Sequence, residues 1–235
     1  MTTMALKEHI EKIIKKTFEK VQEAYNEHRE TCKSERTSWK KTNTRLVFPR
    51  YGKHRGEYET RISEQELRFA FVEAFNEYCN ENNCNLFYSV ETPTEDKYVF
   101  SKDGCACDNP HVESNGEEGQ SASFDMVIYD YTGKRVCLIE FKALNSAEHE
   151  HLKDFAKLNN PNEGNKDVLR YFIEILKSSN NGTYESLHDK VVKDKRGSNS
   201  KVYFEGYNEG FRCYDLNNGG KEVTGKILSR NKKEK

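Results

Sequence analysis

Two carboxylates and a lysine, Asp125, Glu140 and Lys142, lie on neighbouring segments of the sequence at a spacing suited to metal chemistry. The segments Ser123–Asp130 and Arg135–Ala143 are rich in β-branched and aromatic residues, which predicts two strands. The four residues between them include a glycine and are typical of a hairpin turn. Pairing across a two-residue turn places Asp125 opposite Glu140, with Lys142 on the same side two residues further along.

Facing carboxylates repel each other, and burying them without a partner costs free energy. A divalent cation between them removes both costs. Ligand sets made of oxygen atoms alone favour a hard ion such as Mg²⁺, with Mn²⁺ as a second choice. Lys142 beside that ion can orient a water molecule or neutralise charge that develops on a phosphate. The alternative interpretation is an ordinary cluster of salt bridges at the end of a sheet.

The same pairing makes two further predictions about the hairpin. Asp130 faces Arg135 as a pair of opposite charges. Phe124 and Phe141 lie opposite each other on one continuous apolar face of the hairpin. A bulge after the turn would shift this register by one residue.

The elements that must position these residues follow from hydrophobic periodicity, capping signals and β-propensity. Apolar residues at helical spacing predict an amphipathic helix over residues 5–30, and residues 31–62 have the composition of a long basic loop. The later elements are a helix at Ser63–Asn82, strands at Leu86–Glu91 and Tyr98–Ser101, the hairpin, a helix at Ser146–Leu158, a strand at Leu169–Leu176, a helix at Tyr184–Lys193 and strands at Lys201–Tyr207 and Gly210–Leu216. Their order predicts an α/β arrangement with a mixed sheet.

Ser123-Phe124-Asp125, followed after fourteen residues by Glu140-Phe141-Lys142, resembles the motif of the PD-(D/E)XK nuclease superfamily, with Phe124 in place of the family's proline. The element order over residues 63–176 is also similar to the α-β-β-β-α-β core of that superfamily. The resemblance implies a restriction-endonuclease-like mixed central sheet flanked by helices, with an N-terminal helical extension. It divides the chain into an amphipathic helix and basic loop (1–62), a nuclease-like domain (63–227) and a basic tail (228–235).

The resemblance also implies a function, the Mg²⁺-dependent hydrolysis of phosphodiester bonds in DNA. Asp125 and Glu140 would hold the metal together with the backbone carbonyl of Phe141, and Lys142 would position the attacking water. A non-catalytic interaction module on the same fold is one alternative, and an RNA-cleaving nuclease is another.

Many members of the superfamily add a glutamate from the first core helix, and Glu66 is our choice for that role. Glu66 lies at the border of the apolar stripe that should face the sheet. It also completes a capping-box signature with Ser63, which would explain its presence without any catalytic role. Glu64 and Glu73 are the alternatives.

A basic segment with a nearby aromatic residue, containing Arg50, Lys53, His54 and Arg55, is a candidate contact for nucleic-acid phosphates. A solvated loop is the alternative. Charge is distributed in blocks: residues 1–61 carry 15 Lys and Arg against 9 Asp and Glu, residues 62–150 carry 6 against 18, and residues 151–235 carry 17 against 12. An acidic centre between basic flanks suits a cation site beside surfaces that bind a polyanion.

Seven cysteines, an odd number without a preceding apolar leader, predict a reducing cytoplasm. No apolar run approaches the length of a membrane span, so we expect no membrane partner. A homodimer is compatible with cleavage of duplex DNA. Cys105, Cys107 and His111 form only a partial zinc set, and free loop cysteines are the alternative.

Overall fold

A computed structural model describes residues 3–33, 43–54, 57–113, 119–144, 146–176, 181–193, 201–206 and 210–223. The helices are α1 (Thr3–Lys33), α2 (Glu64–Asn82), α3 (Glu148–Asn159) and α4 (Asn181–Leu187), and a π-helical turn (His188–Lys193) follows α4. The strands are β1 (Arg50–His54), β2 (Glu57–Thr60), β3 (Leu86–Lys102), β4 (Cys105–Val112), β5 (Gln120–Asp130), β6 (Arg135–Ala143), β7 (Leu169–Leu176), β8 (Lys201–Gly206), β9 (Gly210–Asp215) and β10 (Lys221–Glu222).

Eight strands form one mixed sheet in the order β10-β9-β8-β7-β6-β5-β3-β4. The β6–β7 and β7–β8 pairs are parallel and the other pairs are antiparallel. A parallel neighbour requires a crossover connection, and α3 lies in the connection between β6 and β7. The predicted α/β class with a mixed sheet flanked by helices, and the N-terminal helix, are therefore confirmed.

The two faces of the sheet are covered by different helices. On one face, α1 and α2 bury their apolar stripes against β6 and β7, and Ile10, Phe71 and Phe141 belong to the same hydrophobic cluster. On the other face, α3 packs Phe155 and Leu158 into a second cluster. Burying side chains of this size contributes about 1.5–3 kcal/mol each, so both layers are held by apolar contact.

The helix α2 starts where the sequence predicts, with Ser63 as its N-cap in an extended conformation. The Ser63 hydroxyl donates a hydrogen bond to the Glu66 carboxylate rather than capping a backbone N–H group. The helix ends at Asn83, whose φ of 51° is in the left-handed region that closes many helices.

The β5–β6 register agrees with the prediction in the middle of the hairpin, where Met126 pairs with Ile139. It differs near the turn, because a bulge after Ile128 pairs Tyr129 with Arg135. The predicted Asp130–Arg135 pair is therefore wrong. The side chain of Asp130 instead accepts hydrogen bonds from Thr132 and the Lys134 N–H group within the turn.

Phe124 is also on a different face from the one predicted. It packs in the α3-side cluster, whereas Phe141 packs in the α1–α2-side cluster. The reason is a break in strand alternation at Asp125: the β3–β5 ladder lacks a Glu91–Asp125 pair, and Glu91 has a left-handed φ of 48°. Side chains on either side of such a break no longer follow one two-residue repeat.

Part of the stretch predicted as a long basic loop is ordered as the β1–β2 hairpin. Arg50, Lys53 and His54 belong to β1, and Arg55 lies outside the described residues. The two strands predicted at 86–91 and 98–101 are one long strand, β3.

Candidate active site

The Asp125 carboxylate is held by two donors at the point where the β5–β6 ladder ends. Nη2 of Arg68, on α2, lies 2.6 Å from Asp125 Oδ1. The backbone N–H of Phe141 donates to Asp125 Oδ2 at 2.7 Å. Met126 and Ile139 form the last pair of the ladder, so the predicted Asp125–Glu140 cross-strand pair is wrong. The Asp125 side chain instead accepts the hydrogen bond from the Phe141 N–H group of β6.

Glu140 is buried on the α3 side of β6, with 1 % of its surface exposed. Nζ of Lys157, on α3, lies 2.5 Å from Glu140 Oε1 as an ion pair, although this approach lies outside hydrogen-bond geometry. Burial raises the pKa of Glu140 well above its usual range; Lys157 lowers it, and the nearby Asp154 and Asp125 carboxylates raise it further.

Lys142 lies between two carboxylates from different helices. Its Nζ is 3.1 Å from Asp154 Oδ2 on α3 and 3.5 Å from Glu64 Oε1 on α2. Burial lowers the pKa of Lys142, but the negative charges of Asp154, Glu64 and Asp125 outweigh it and raise the pKa above its ordinary value. The Lys142 ammonium therefore keeps its proton throughout the neutral pH range.

Of the candidate glutamates on α2, Glu64 is the one that reaches this network. Burial raises the pKa of Glu64, Lys142 opposes that rise, and Asp125 and Asp154 add to it. Glu66 contacts the Ser63 hydroxyl, and Glu73 accepts a hydrogen bond from Thr44. The structure thus brings Asp125, Glu140 and Lys142 into one electrostatic network with Glu64 rather than with Glu66.

We call this network the charged cluster. It contains five carboxylates and three cations, so two negative charges have no partner cation when all five carboxylates are ionised. Glu140, Asp154 and Lys157 are all buried, so water screens these charges poorly. The members of the charged cluster are Glu64, Glu91, Asp125, Glu140 and Asp154 with Arg68, Lys142 and Lys157.

The charged cluster suits a hard divalent cation in composition but not in its present arrangement. Its carboxylates offer oxygen ligands, and the buried oxygens Glu140 Oε1 and Asp154 Oδ2 are each in an ion pair with a lysine. However, within the described ranges no three His, Cys, Asp or Glu side chains lie close enough together to hold a metal. Arg68 and Lys157 occupy the positions against Asp125 and Glu140, so an ion would have to displace them.

Two of the charged-cluster residues, Asp154 and Lys157, come from α3 and were not expected from the sequence. They continue a polar series that starts at His151, three residues apart along the face that packs on the sheet. The ring of His151 is fully buried, and its Nε2 lies 3.0 Å from Glu174 Oε2 on β7. Polar residues at core positions of an amphipathic helix were the available signal.

The cysteines of β4 and the described helices bear on the predicted zinc set and on membrane spans. Cys105 and Cys107 are free on β4, and the ring of His111 contacts the Asn109 carbonyl. Among the described helices, none has the length and apolarity needed to cross a bilayer.

No family model matches the sequence, and comparisons with curated proteins and with solved structures found no significant match.

Proposed function

We propose that the chain is a Mg²⁺-dependent deoxyribonuclease with a restriction-endonuclease-like fold, and that the charged cluster is its active site. The order α2, β3, β4, β5, β6, α3, β7 supports this fold, because the antiparallel strands β3, β5 and β6 are followed by a crossover helix and a parallel strand, with β4 as an additional edge strand beside β3. The residues of the motif resemblance lie on the second and third of these strands.

The observation that carries the proposal is the excess of carboxylates over cations in the charged cluster, five against three. Burial and neighbouring carboxylates raise the pKa of both Glu140 and Glu64, so each is destabilised as an anion by its surroundings. A divalent cation stabilises carboxylates that are crowded in this way. A structural ion-pair cluster gains nothing from such an excess of one sign.

Each residue of the charged cluster has its own role in this proposal. Asp125 and Glu140 would hold Mg²⁺ with the carbonyl of Phe141, and Glu64 is a better candidate than Glu66 for the helix carboxylate because it lies against Lys142. Bound Mg²⁺ would polarise the scissile phosphate and lower the pKa of a bound water. Lys142, held protonated by its carboxylate neighbours, orients the attacking water and offsets charge on the phosphate.

Arg68 and Lys157 have a second role in this proposal. Each neutralises a carboxylate of the charged cluster, and each would be free to contact a phosphate oxygen if a cation held that carboxylate instead. Arginine and lysine are the side chains that bind phosphate best. The basic residues Arg50, Lys53, His54 and Arg55 remain predicted contacts to the DNA backbone.

Nuclease assays on the full chain test the proposal. Duplex, single-stranded DNA and RNA are each incubated with Mg²⁺, with and without EDTA. We expect cleavage of DNA that EDTA abolishes and that Glu140→Ala and Lys142→Ala each reduce at least about 100-fold. The exposed residues Glu8 and Lys134 supply matched controls, Glu8→Ala and Lys134→Ala, which should leave cleavage unchanged.

Circular dichroism and thermal melting establish that each variant is folded before its activity is compared. Cleavage that survives both Glu140→Ala and Lys142→Ala in folded protein contradicts the assignment of the charged cluster. Cleavage of RNA alone keeps the site but replaces the substrate.

A second candidate, a non-catalytic interaction module, is favoured by one specific observation. Arg68 and Lys157 already neutralise Asp125 and Glu140 within ion-pair distance. If the chain is an interaction module, these ion pairs are permanent and no cation displaces them. Isothermal titration with Mg²⁺ and Mn²⁺ separates the two candidates, because only the nuclease should bind either ion with a signal that Glu140→Ala removes.

A further inference from the structure

A cavity of about 620 Å³ lies beside the first residues of β7, near the end of that strand that is farther from the charged cluster. Lys142 pairs with Glu174, near the end of β7, whereas the cavity is bounded by the start of that strand. Its walls come from α1, the segment before β7, the start of β8 and the end of β9. The volume is in the range of pockets that bind small molecules.

The walls of the cavity carry more positive than negative charge. The four cations are Lys7, Lys166, Arg170 and Lys201, against two carboxylates. Arg170 is held in place by hydrogen bonds to backbone carbonyls, and Lys201 by an ion pair of 2.6 Å with Glu11. Glu11 neutralises Lys201, so the charge that attracts an anionic ligand to this concave site comes from Lys7, Lys166 and Arg170.

Two buried polar atoms at the cavity have no partner among the described residues. The Tyr171 side chain is fully buried, and its hydroxyl makes no hydrogen bond. Oδ1 of Asp215 is likewise buried and makes none. Both residues line the cavity. Leaving such atoms unpaired is costly, so a ligand gains affinity when the cavity wall opens enough for it to reach both.

The two atoms specify different groups on a ligand. A carboxylate oxygen only accepts, so Asp215 requires a hydroxyl or amino donor, whereas the Tyr171 hydroxyl can donate to an oxygen. Pro161, Val168 and Leu169 add apolar wall for a carbon skeleton. A ligand with an anionic group, hydroxyl donors and a compact carbon frame combines these features.

We propose that this cavity binds a phosphorylated small molecule that carries hydroxyl groups, the class that contains sugar phosphates and nucleotides. The phosphate interacts with Lys7 and Lys166, and a hydroxyl donates to Asp215. The site is separate from the proposed nuclease chemistry and does not depend on it.

Thermal-shift measurements on the full chain test this proposal with four probes: ribose 5-phosphate, adenosine 5′-monophosphate, ribose and inorganic phosphate. We expect at least one phosphorylated sugar to raise Tm by roughly 5–10 °C at about one hundred times its Kd, and ribose and phosphate to raise it less. A response to adenosine 5′-monophosphate alone identifies a nucleotide site, and a response to both identifies a sugar-phosphate site.

Variants of the cavity residues test whether the shift in Tm comes from binding in the cavity. Lys7 and Lys166 are not buried, so the double variant Lys7→Ala/Lys166→Ala should fold and weaken binding at least about tenfold by calorimetry. Tyr171→Phe, which removes only the hydroxyl, should weaken it about threefold to tenfold. Lys134→Ala, an exposed substitution that does not line the cavity, is the control.

Two results overturn the proposal: no probe shifts Tm, or the shift persists unchanged in the Lys7→Ala/Lys166→Ala variant. Because none of these residues belongs to the charged cluster, a failure here leaves the nuclease assays unaffected. Loss of nuclease activity in Glu140→Ala, in turn, leaves the ligand response intact.

Discussion

At the scale of single residues, the main finding is a glutamate that is destabilised as an anion. Glu140 is almost fully buried, and its raised pKa means that the folded chain holds its proton more tightly than the unfolded chain does. Between the ordinary glutamate pKa and the raised one, the unfolded state releases this proton while the folded state retains it. The free energy of unfolding therefore falls as pH rises through that window.

The Glu140→Gln variant tests this energy balance. We expect it to be more stable than the wild type by about 1–3 kcal/mol at pH 8 and to lose most of that advantage at pH 4, where Glu140 is protonated in both states. Lys157 keeps Asp154 as an ion-pair partner at 3.2 Å in the variant. Urea unfolding at both pH values measures the difference.

Glu8→Gln, an exposed substitution, is the control for that experiment. A Glu140→Gln protein that is less stable than the wild type at pH 8 contradicts the argument. Increased stability together with lost activity is the pattern expected of a functional carboxylate, because such groups are kept in place at a cost to the fold.

At the scale of elements, the first turn of α2 separates two neighbouring glutamates into different roles. Glu66 contacts Ser63 at the N-cap, and Glu64 faces Lys142 across the site. Sequence periodicity located the helix and its cap correctly. It did not distinguish the two carboxylates. They lie on different sides of the helix, and which side faces the site depends on the strand that packs against it.

Two substitutions test this division of roles. Glu66→Gln should lower the free energy of unfolding by about 0.5–1 kcal/mol and leave Mg²⁺ affinity unchanged, since it weakens only the contact with Ser63. Glu64→Gln should weaken Mg²⁺ binding and change stability less. Urea unfolding and isothermal titration of both proteins provide the comparison, and equal effects of the two variants on Mg²⁺ affinity argue against the separation.

At the scale of elements, the sequence predicted one part of the β5–β6 hairpin and not another. It gave the hairpin register in the middle, where apolar alternation is strict, and missed the bulge at Tyr129 and the change of face at Phe124. The bulge and the change of face both depend on backbone conformation, which the apolar alternation of β5 does not predict. The α3 residues Asp154 and Lys157 were missed because their partners lie on a strand brought alongside only by the fold.

At the scale of the whole molecule, α1 is part of the main core rather than an appendage. Its apolar stripe shares a hydrophobic cluster with α2, β6 and β7. Polar contacts reinforce it: Lys20 forms an ion pair with Glu77 on α2 at 2.8 Å, and Glu11 binds Lys201 on β8 at 2.6 Å. The periodicity of residues 5–30 predicted the buried stripe but not the surface that covers it.

Substitution within that stripe tests the integration of α1. Ile10 is fully buried, so Ile10→Ala should lower the free energy of unfolding by about 2–5 kcal/mol in a single cooperative transition. Lys12→Ala, on the exposed side of the same helix, should change it by less than about 0.5 kcal/mol. A biphasic transition for Ile10→Ala would indicate that α1 unfolds independently of the sheet.

The left-handed backbone of Glu91 has an effect beyond its own strand. A left-handed conformation costs a residue with a side chain about 1–2 kcal/mol, yet it coincides with the point where β5 changes the direction of its side chains. Asp125 consequently faces an arginine from one helix layer while Glu140 faces a lysine from the other. We therefore expect the backbone of Glu91 on β3 to influence the geometry between these two carboxylates, an influence that mutational scans confined to the motif residues would not test.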